Sequence, residues 1–178
     1  MKKRVSLSGA EKTIQAIWDW YEVQSKLSLG KKNQLLAELR KGGAVSDPVF
    51  SAMSLEDIHE FFRELDYLTM FDLLAATEAT IRLDYRNRAR GRKRDNVSKE
   101  FRRLYSDHGY DVGLESDILA TWKRLVPGTT RAVGEFNGAL RLRHWLAHGR
   151  YWEPTLGRDY TPVDIYEIAY NLLEAIRA

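Results

Sequence analysis

Apolar residues along this chain recur every three or four positions, and no stretch sustains the two-residue alternation of a half-buried strand. That period leaves the helix as the regular element able to present one continuous apolar face. The choice of apolar side chain agrees, because 22 Leu and 16 Ala outweigh 8 Ile and 9 Val, and unbranched side chains lose less rotamer freedom on a helix. The expected fold class is all-α, a helical bundle over residues 1–178 read as one domain. Zero cysteines exclude a disulfide framework, thiolate metal sites and cysteine nucleophiles, and fit a reducing compartment.

Helix punctuation divides the chain. Ser8-Gly9-Ala10-Glu11 has the spacing of a capping box, which predicts a helix carrying Ile14, Ile17, Trp18 and Tyr21 on one side. A shorter helix is expected over Lys32–Lys41, stopped by Gly42-Gly43, with a loop through Asp47-Pro48. Ser54 then caps a helix from Leu55 to about Leu68, with Ile58, Phe61, Phe62 and Leu65 as its buried stripe. Another is expected from Thr69 to Arg90, facing the core through Phe71, Leu74, Ala75, Ile81 and Tyr85 and interrupted by Gly91. Further helices are predicted from Asn96 or Ser98 toward Tyr105, over residues 113–125, from Arg131 to about His148, and after the Thr161-Pro162 cap.

The opening Met1-Lys2-Lys3-Arg4 is basic like a signal peptide, but Glu11 and Lys12 arrive before any apolar core of one. With no run approaching roughly 18 apolar residues, no membrane partner is expected and the cytoplasm is the expected setting. The balance of 28 basic against 25 acidic residues is nearly even. Resolved along the chain it is not: residues 82–94 hold seven basic side chains and one acid, so the remainder is net acidic. Arg86, Arg88, Arg90, Arg92, Lys93 and Arg94 in that run are dense enough to attract a phosphate backbone, with Tyr151 available for base stacking.

The segment Ala132–Trp152 is the most informative. Val133, Phe136, Leu140 and Ala147 share one helical face, and the position that should continue it is Arg143. An unpaired buried guanidinium is expensive, so Arg143 needs an anionic partner, a wet groove or a bound phosphate. Glu78 likewise interrupts the apolar stripe of its helix, with Arg82 one turn later. Two misplaced charges of opposite sign predict a Glu78–Arg143 contact across the bundle. Asn137, Arg141, His144 and His148 recur at i, i+4, i+7 and i+11 and form a polar stripe on another face. His144 and His148 have a spacing that suits a metal pair, but no third ligand is evident, so neither a metal nor a cofactor is expected. No P-loop, dinucleotide fingerprint or serine-nucleophile elbow is present.

Arg143-His144-Trp145-Leu146-Ala147-His148 resembles the Arg-x4-6-His motif of HEPN domains, ending a late helix of an all-α chain. The resemblance covers about residues 65–178, with extra helices in the first 50. It implies a bundle that forms a homodimer and brings two motifs to one composite cleft. Many such proteins are metal-independent endoribonucleases in toxin-antitoxin or defence systems; others are non-catalytic modules that bind RNA or a partner protein. It also implies an antitoxin or a nucleotidyltransferase as a partner, the latter acting on a tyrosine two residues after the histidine. Here that position is Arg150, and Tyr151, one residue later, reads as a packing aromatic.

Histidine can take or give a proton near neutrality, and arginine grips a phosphate through two parallel N–H donors. His148 is therefore assigned to proton transfer and Arg143 to the phosphate, with His144, Arg141, Asn137, Glu78 and Arg82 in support. One tension remains within the motif. Residues five apart on a regular helix point roughly 140° away from each other, so either the helix loosens before Gly149 or Arg141 shares the anion.

Overall fold

In a computed structural model that describes residues 8–42, 45–109 and 111–177, every regular element is helical, as the period predicts. Six α-helices are present among the described residues: α1 (Ile14–Arg40), α2 (Leu55–Arg90), α3 (Asn96–His108), α4 (Ala120–Leu125), α5 (Thr130–Ala147) and α6 (Pro162–Arg177). A π-helical segment, Leu114–Leu119, leads into α4, and a 3-10 turn, Pro127–Thr129, leads into α5. The basic opening at residues 1–4 and the stop at Gly43 lie outside the described residues.

Helix α2 is the spine, packed against α1, α3, α5 and α6. Its start is the reciprocal box of Ser54 and Asp57. It ends at Gly91, an extended cap position where a Cβ would sit 2.7 Å from the Asn87 carbonyl oxygen, so the turn requires glycine. Arg102 of α3 then donates to the carbonyls of Arg88 and Gly91, at 3.5 and 3.2 Å, satisfying acceptors that the terminated helix leaves open.

The structure corrects three expected boundaries. No break occurs at Leu68-Thr69: the Thr69 hydroxyl donates to the Leu65 carbonyl at 2.8 Å, a bond made inside a helix rather than at its start. Likewise α1 runs unbroken through Lys32, and the Ser8–Glu11 box does not form. Thr13 caps α1 instead, accepting from the Ala16 amide at 3.1 Å, while Ser8 accepts from Ala10. Phe61, expected in the buried stripe of α2, is 54% exposed.

Two apolar clusters hold the helices. The larger contains Leu73, Leu74, Ile81 and Tyr85 of α2 with Phe101, Phe136, Ile165 and Leu172. The smaller joins Leu35, Leu36 and Ile58 to Val45 and Phe50, clamping the far end of α1 to the start of α2. Each fully buried large side chain contributes about 1.5–3 kcal/mol relative to exposure. No helix among the described residues is long and apolar enough to cross a membrane.

Thr161 and Asp164 repeat the reciprocal box at the start of α6, with the Thr161 amide donating at 2.8 Å and the Asp164 amide returning the bond at 3.2 Å. Side-chain and backbone hydrogen bonds from Ser54 hold the Asp57 carboxyl below its ordinary range, and those from Thr161 do the same for Asp164. A carboxyl depressed on folding adds stability that is complete above its unfolded value, about 3.9, and is lost as pH falls through the folded one. The thermal midpoint should therefore drop below about pH 4. The double variant Asp57→Asn with Asp164→Asn should show a shallower acid limb; an unchanged limb would contradict this assignment.

Candidate functional site

Helix α5 is rotated by its apolar face. Ala132, Val133, Phe136, Ala139, Leu140 and Leu142 are buried, which turns Arg143, near the end of the helix, toward α2. There its guanidinium lies 3.3 Å from Glu78 Oε2, so the contact expected from two misplaced charges exists. The other carboxylate oxygen accepts from Arg82 Nε at 2.8 Å, and Arg82 also donates to the Val112 carbonyl at 3.3 Å. One carboxylate thus serves two arginines and the trio stays net positive. Arg143 keeps 36% of its side chain exposed, against 18% for Glu78. Its Nε and the Oδ1 of Asn137 are shielded from solvent with no protein partner among the described residues.

Helix α5 ends at Ala147, with His148 as its cap residue. The His148 amide still donates to the His144 carbonyl at 3.1 Å, but His148 itself, at φ −97° and ψ 18°, has already left the helical conformation, and Gly149 follows at φ +78°. Arg150 N–H then reaches the Trp145 carbonyl and Gly149 N–H the Leu146 carbonyl, the paired bonds of a Schellman ending. Arg143 meets Glu78 of α2, whereas His148, at the cap of α5, lies beside His144, and among the described residues no hydrogen bond or ion pair joins Arg143 to His148. The ring of His148 instead lies 4.3 Å from that of His144, and Trp152 stands 5.8 Å from His144 and 6.3 Å from His148. Both histidines are exposed.

His144 and Arg141 line one groove of about 460 Å³ together with Trp152, Pro154 and Glu115. Trp145 Nε1 donates to the Trp152 carbonyl at 2.7 Å, pinning the far wall to the helix. Arg150 pins the loop on its other side: its two terminal nitrogens meet the two oxygens of Glu64 at 2.8 and 3.1 Å, and its guanidinium lies over Tyr67. Arg150 adopts φ +57°, a left-handed conformation that a non-glycine residue holds only when its surroundings enforce it. The loop after α5 is thus fixed at two points.

The basic run divides into two groups. Arg88 is inward and committed: its Nε lies 2.9 Å from both Asp84 oxygens, its NH1 3.3 Å from Asp95, and its guanidinium over the Trp122 ring. Burial pushes the Asp84 carboxyl up, against the opposing pull of Arg88. Arg82 is held by Glu78, and Arg86 is half-buried. Arg90, the last residue of α2, and Arg92, Lys93 and Arg94 beyond it are exposed. Tyr151, expected as a packing aromatic, is 82% exposed. Gly138 faces the chain's own Tyr160, whose hydroxyl would sit 3.2 Å from an added Cβ, whereas Gly134 faces open space.

Sequence spacing missed Glu115, which lies on a separate element from α5, the π-helical segment before α4. It also missed the Glu64–Arg150 clamp, since Gly149 signals a helix end but nothing marks the residue after it. Comparison of the chain with protein-family models, curated proteins and solved structures gives no match.

Proposed function

We propose that this chain is a metal-independent endoribonuclease of the HEPN type, acting as a cytoplasmic homodimer in a toxin-antitoxin or phage-defence setting. The observation that carries the reading is the end of α5, where two adjacent imidazoles and Arg141 share an open face while Glu78 holds Arg143 on the other side.

The chemistry uses groups that this end of the molecule presents. The 2′-hydroxyl of a nucleotide attacks the adjacent phosphorus; the O2′–P bond forms, the P–O5′ bond breaks, and a 2′,3′-cyclic phosphate and a free 5′-hydroxyl result. His148 takes the 2′-proton, and a second imidazole, His144 or a partner copy's, delivers a proton to the leaving 5′-oxygen. Arginine neutralises the charge gathering on the phosphorane oxygens. Arg141 serves within the groove, and Arg143 serves from the α2 side, where a second copy facing α2 would supply the complementary histidine. The exposed Arg90, Arg92, Lys93 and Arg94 attract the RNA backbone at a distance.

The test is to incubate the purified protein with total RNA in EDTA and to analyse product ends. Cleavage that survives chelation and leaves cyclic phosphate ends supports the reading. Intact RNA overturns it, and salt-sensitive RNA binding without cleavage would identify a non-catalytic binding module instead. Light scattering tests the dimer.

Glu78 is a positioning residue in this scheme. Glu78→Gln keeps the shape but removes the charge that anchors Arg143 and Arg82. Cleavage is expected to fall mainly in kcat, with a loss of about 1–2 kcal/mol in stability, discounted for the exposure of both arginines. An unchanged kcat in a stably folded variant would show that the Glu78–Arg143 pair is structural only.

A further inference from the structure

The groove beside His144 contains a carboxylate that the cleavage chemistry does not use. We infer that this groove is a nucleobase pocket selective for guanine, with Glu115 reading the base and Trp152 stacking on it; the inference rests on the RNA-cleaving reading of the same face.

Its volume of about 460 Å³ falls within the range of roughly 300–1,000 Å³ typical of small-ligand sites. The walls differ in character. Trp152 is half-buried, and its neighbouring rings His144, His148 and Tyr151 are all tilted against it, at 51°, 41° and 76°, so none of them stacks on it in parallel. Pro154 and Leu156 add an apolar edge. Opposite in chemistry stands Glu115, whose carboxylate has no protein partner among the described residues. Asp117, two residues on, differs: its Oδ2 is taken by the Gly113 amide at 2.7 Å.

The placement of Glu115 comes from the π-helical segment, anchored by buried Leu114, Ile118 and Leu119. Such wide turns are rare and are found disproportionately at functional sites. Here the turn presents an exposed carboxylate to a groove that also holds two basic side chains, Arg141 and His144.

A carboxylate accepts only, so it selects by counting donors. Guanine presents two adjacent donors, N1–H and N2–H, on its pairing edge, and these match the two oxygens of one carboxylate. Adenine and cytosine set one amino donor beside an unprotonated ring nitrogen, which repels the second oxygen. Uracil sets one N–H between two carbonyls. Base stacking on an indole is tolerant of identity, whereas a bidentate pair discriminates by roughly tenfold or more. Arg141 and His144 line the same groove and the His148 ring lies 4.3 Å from that of His144, so on this reading the 3′-phosphate and 2′-hydroxyl of a guanosine held there meet these groups and cleavage follows guanosine.

The decisive measurement is calorimetric titration of the full chain with guanosine, adenosine, cytidine and uridine 3′-monophosphates, and with inorganic phosphate. Guanosine 3′-monophosphate is expected to bind roughly tenfold or more tightly than the other three. Glu115→Gln should abolish that preference, and Trp152→Ala should weaken all four nucleotides, with thermal melts confirming that both variants fold. Equal affinities in the wild type, phosphate binding as tight as the guanine nucleotide, or a preference that persists in Glu115→Gln would each overturn the pocket. The two readings separate cleanly. A guanine preference with RNA left intact in EDTA removes the nuclease and keeps the pocket, while cleavage with no base preference removes the pocket alone.

Discussion

His148→Ala is expected to lower RNA cleavage in EDTA by roughly 10²–10⁴-fold, the usual contribution of a positioned general acid or base. Thermal stability should barely change. The His148 ring is exposed, and the bonds that terminate α5 there come from backbone groups of His148, Gly149 and Arg150, which alanine preserves at the first of these positions. His144→Ala removes the neighbouring imidazole, 4.3 Å away, and should produce a loss of similar size if it supplies the second proton. Arg141→Ala and Arg143→Ala then divide the phosphate role between the groove and the Glu78 side. Wild-type rates in His148→Ala would eliminate the proposed chemistry.

Phe136→Ala is expected to destabilise the chain by about 3–5 kcal/mol, the range for truncating a fully buried aromatic. Phe136 is 0% exposed and sits on the face of α5 that packs into the main cluster. Typical domains are stable by only about 5–15 kcal/mol, so this single change removes a large fraction of the total. Urea denaturation would measure it, and a loss below about 1 kcal/mol would contradict the packing of α5. The pair of variants separates fold from chemistry around one helix: Phe136→Ala loses stability, and His148→Ala loses activity while folded.

Much of the architecture was legible because local signals and packing agree. Ser54, Gly91 and the Thr161-Pro162 pair end or begin helices where their backbone chemistry requires it. Thr69 misled for an equally physical reason. A threonine hydroxyl accepts at a helix start or donates to the carbonyl one turn back, and only its surroundings select between these; buried in the middle of α2, Thr69 does the second. Gly30 likewise belongs to an unbroken α1 although glycine there costs about 1 kcal/mol, which the contact of α1 with α2 offsets. Within the site, the Glu78–Arg143 pair could be anticipated because two charges on buried faces must neutralise each other. Glu115 could not, since an exposed carboxylate on a separate short segment breaks no pattern.

By itself the sequence determined the helical class, the rotation of α5 and the identity of its polar stripe, because hydrophobic burial fixes which face of an amphipathic helix turns inward. It also required that Arg143 find an anionic partner, a wet groove or a bound phosphate. The tertiary structure shows the expected Glu78–Arg143 contact; it alone decided that Arg82 Nε takes the other Glu78 oxygen, that Arg88 is spent on Asp84, Asp95 and Trp122, and that His144, Arg141, Trp152 and Glu115 share a groove. Those outcomes depend on which helices become neighbours, and a period of 3.6 residues specifies the faces of helices without specifying their partners.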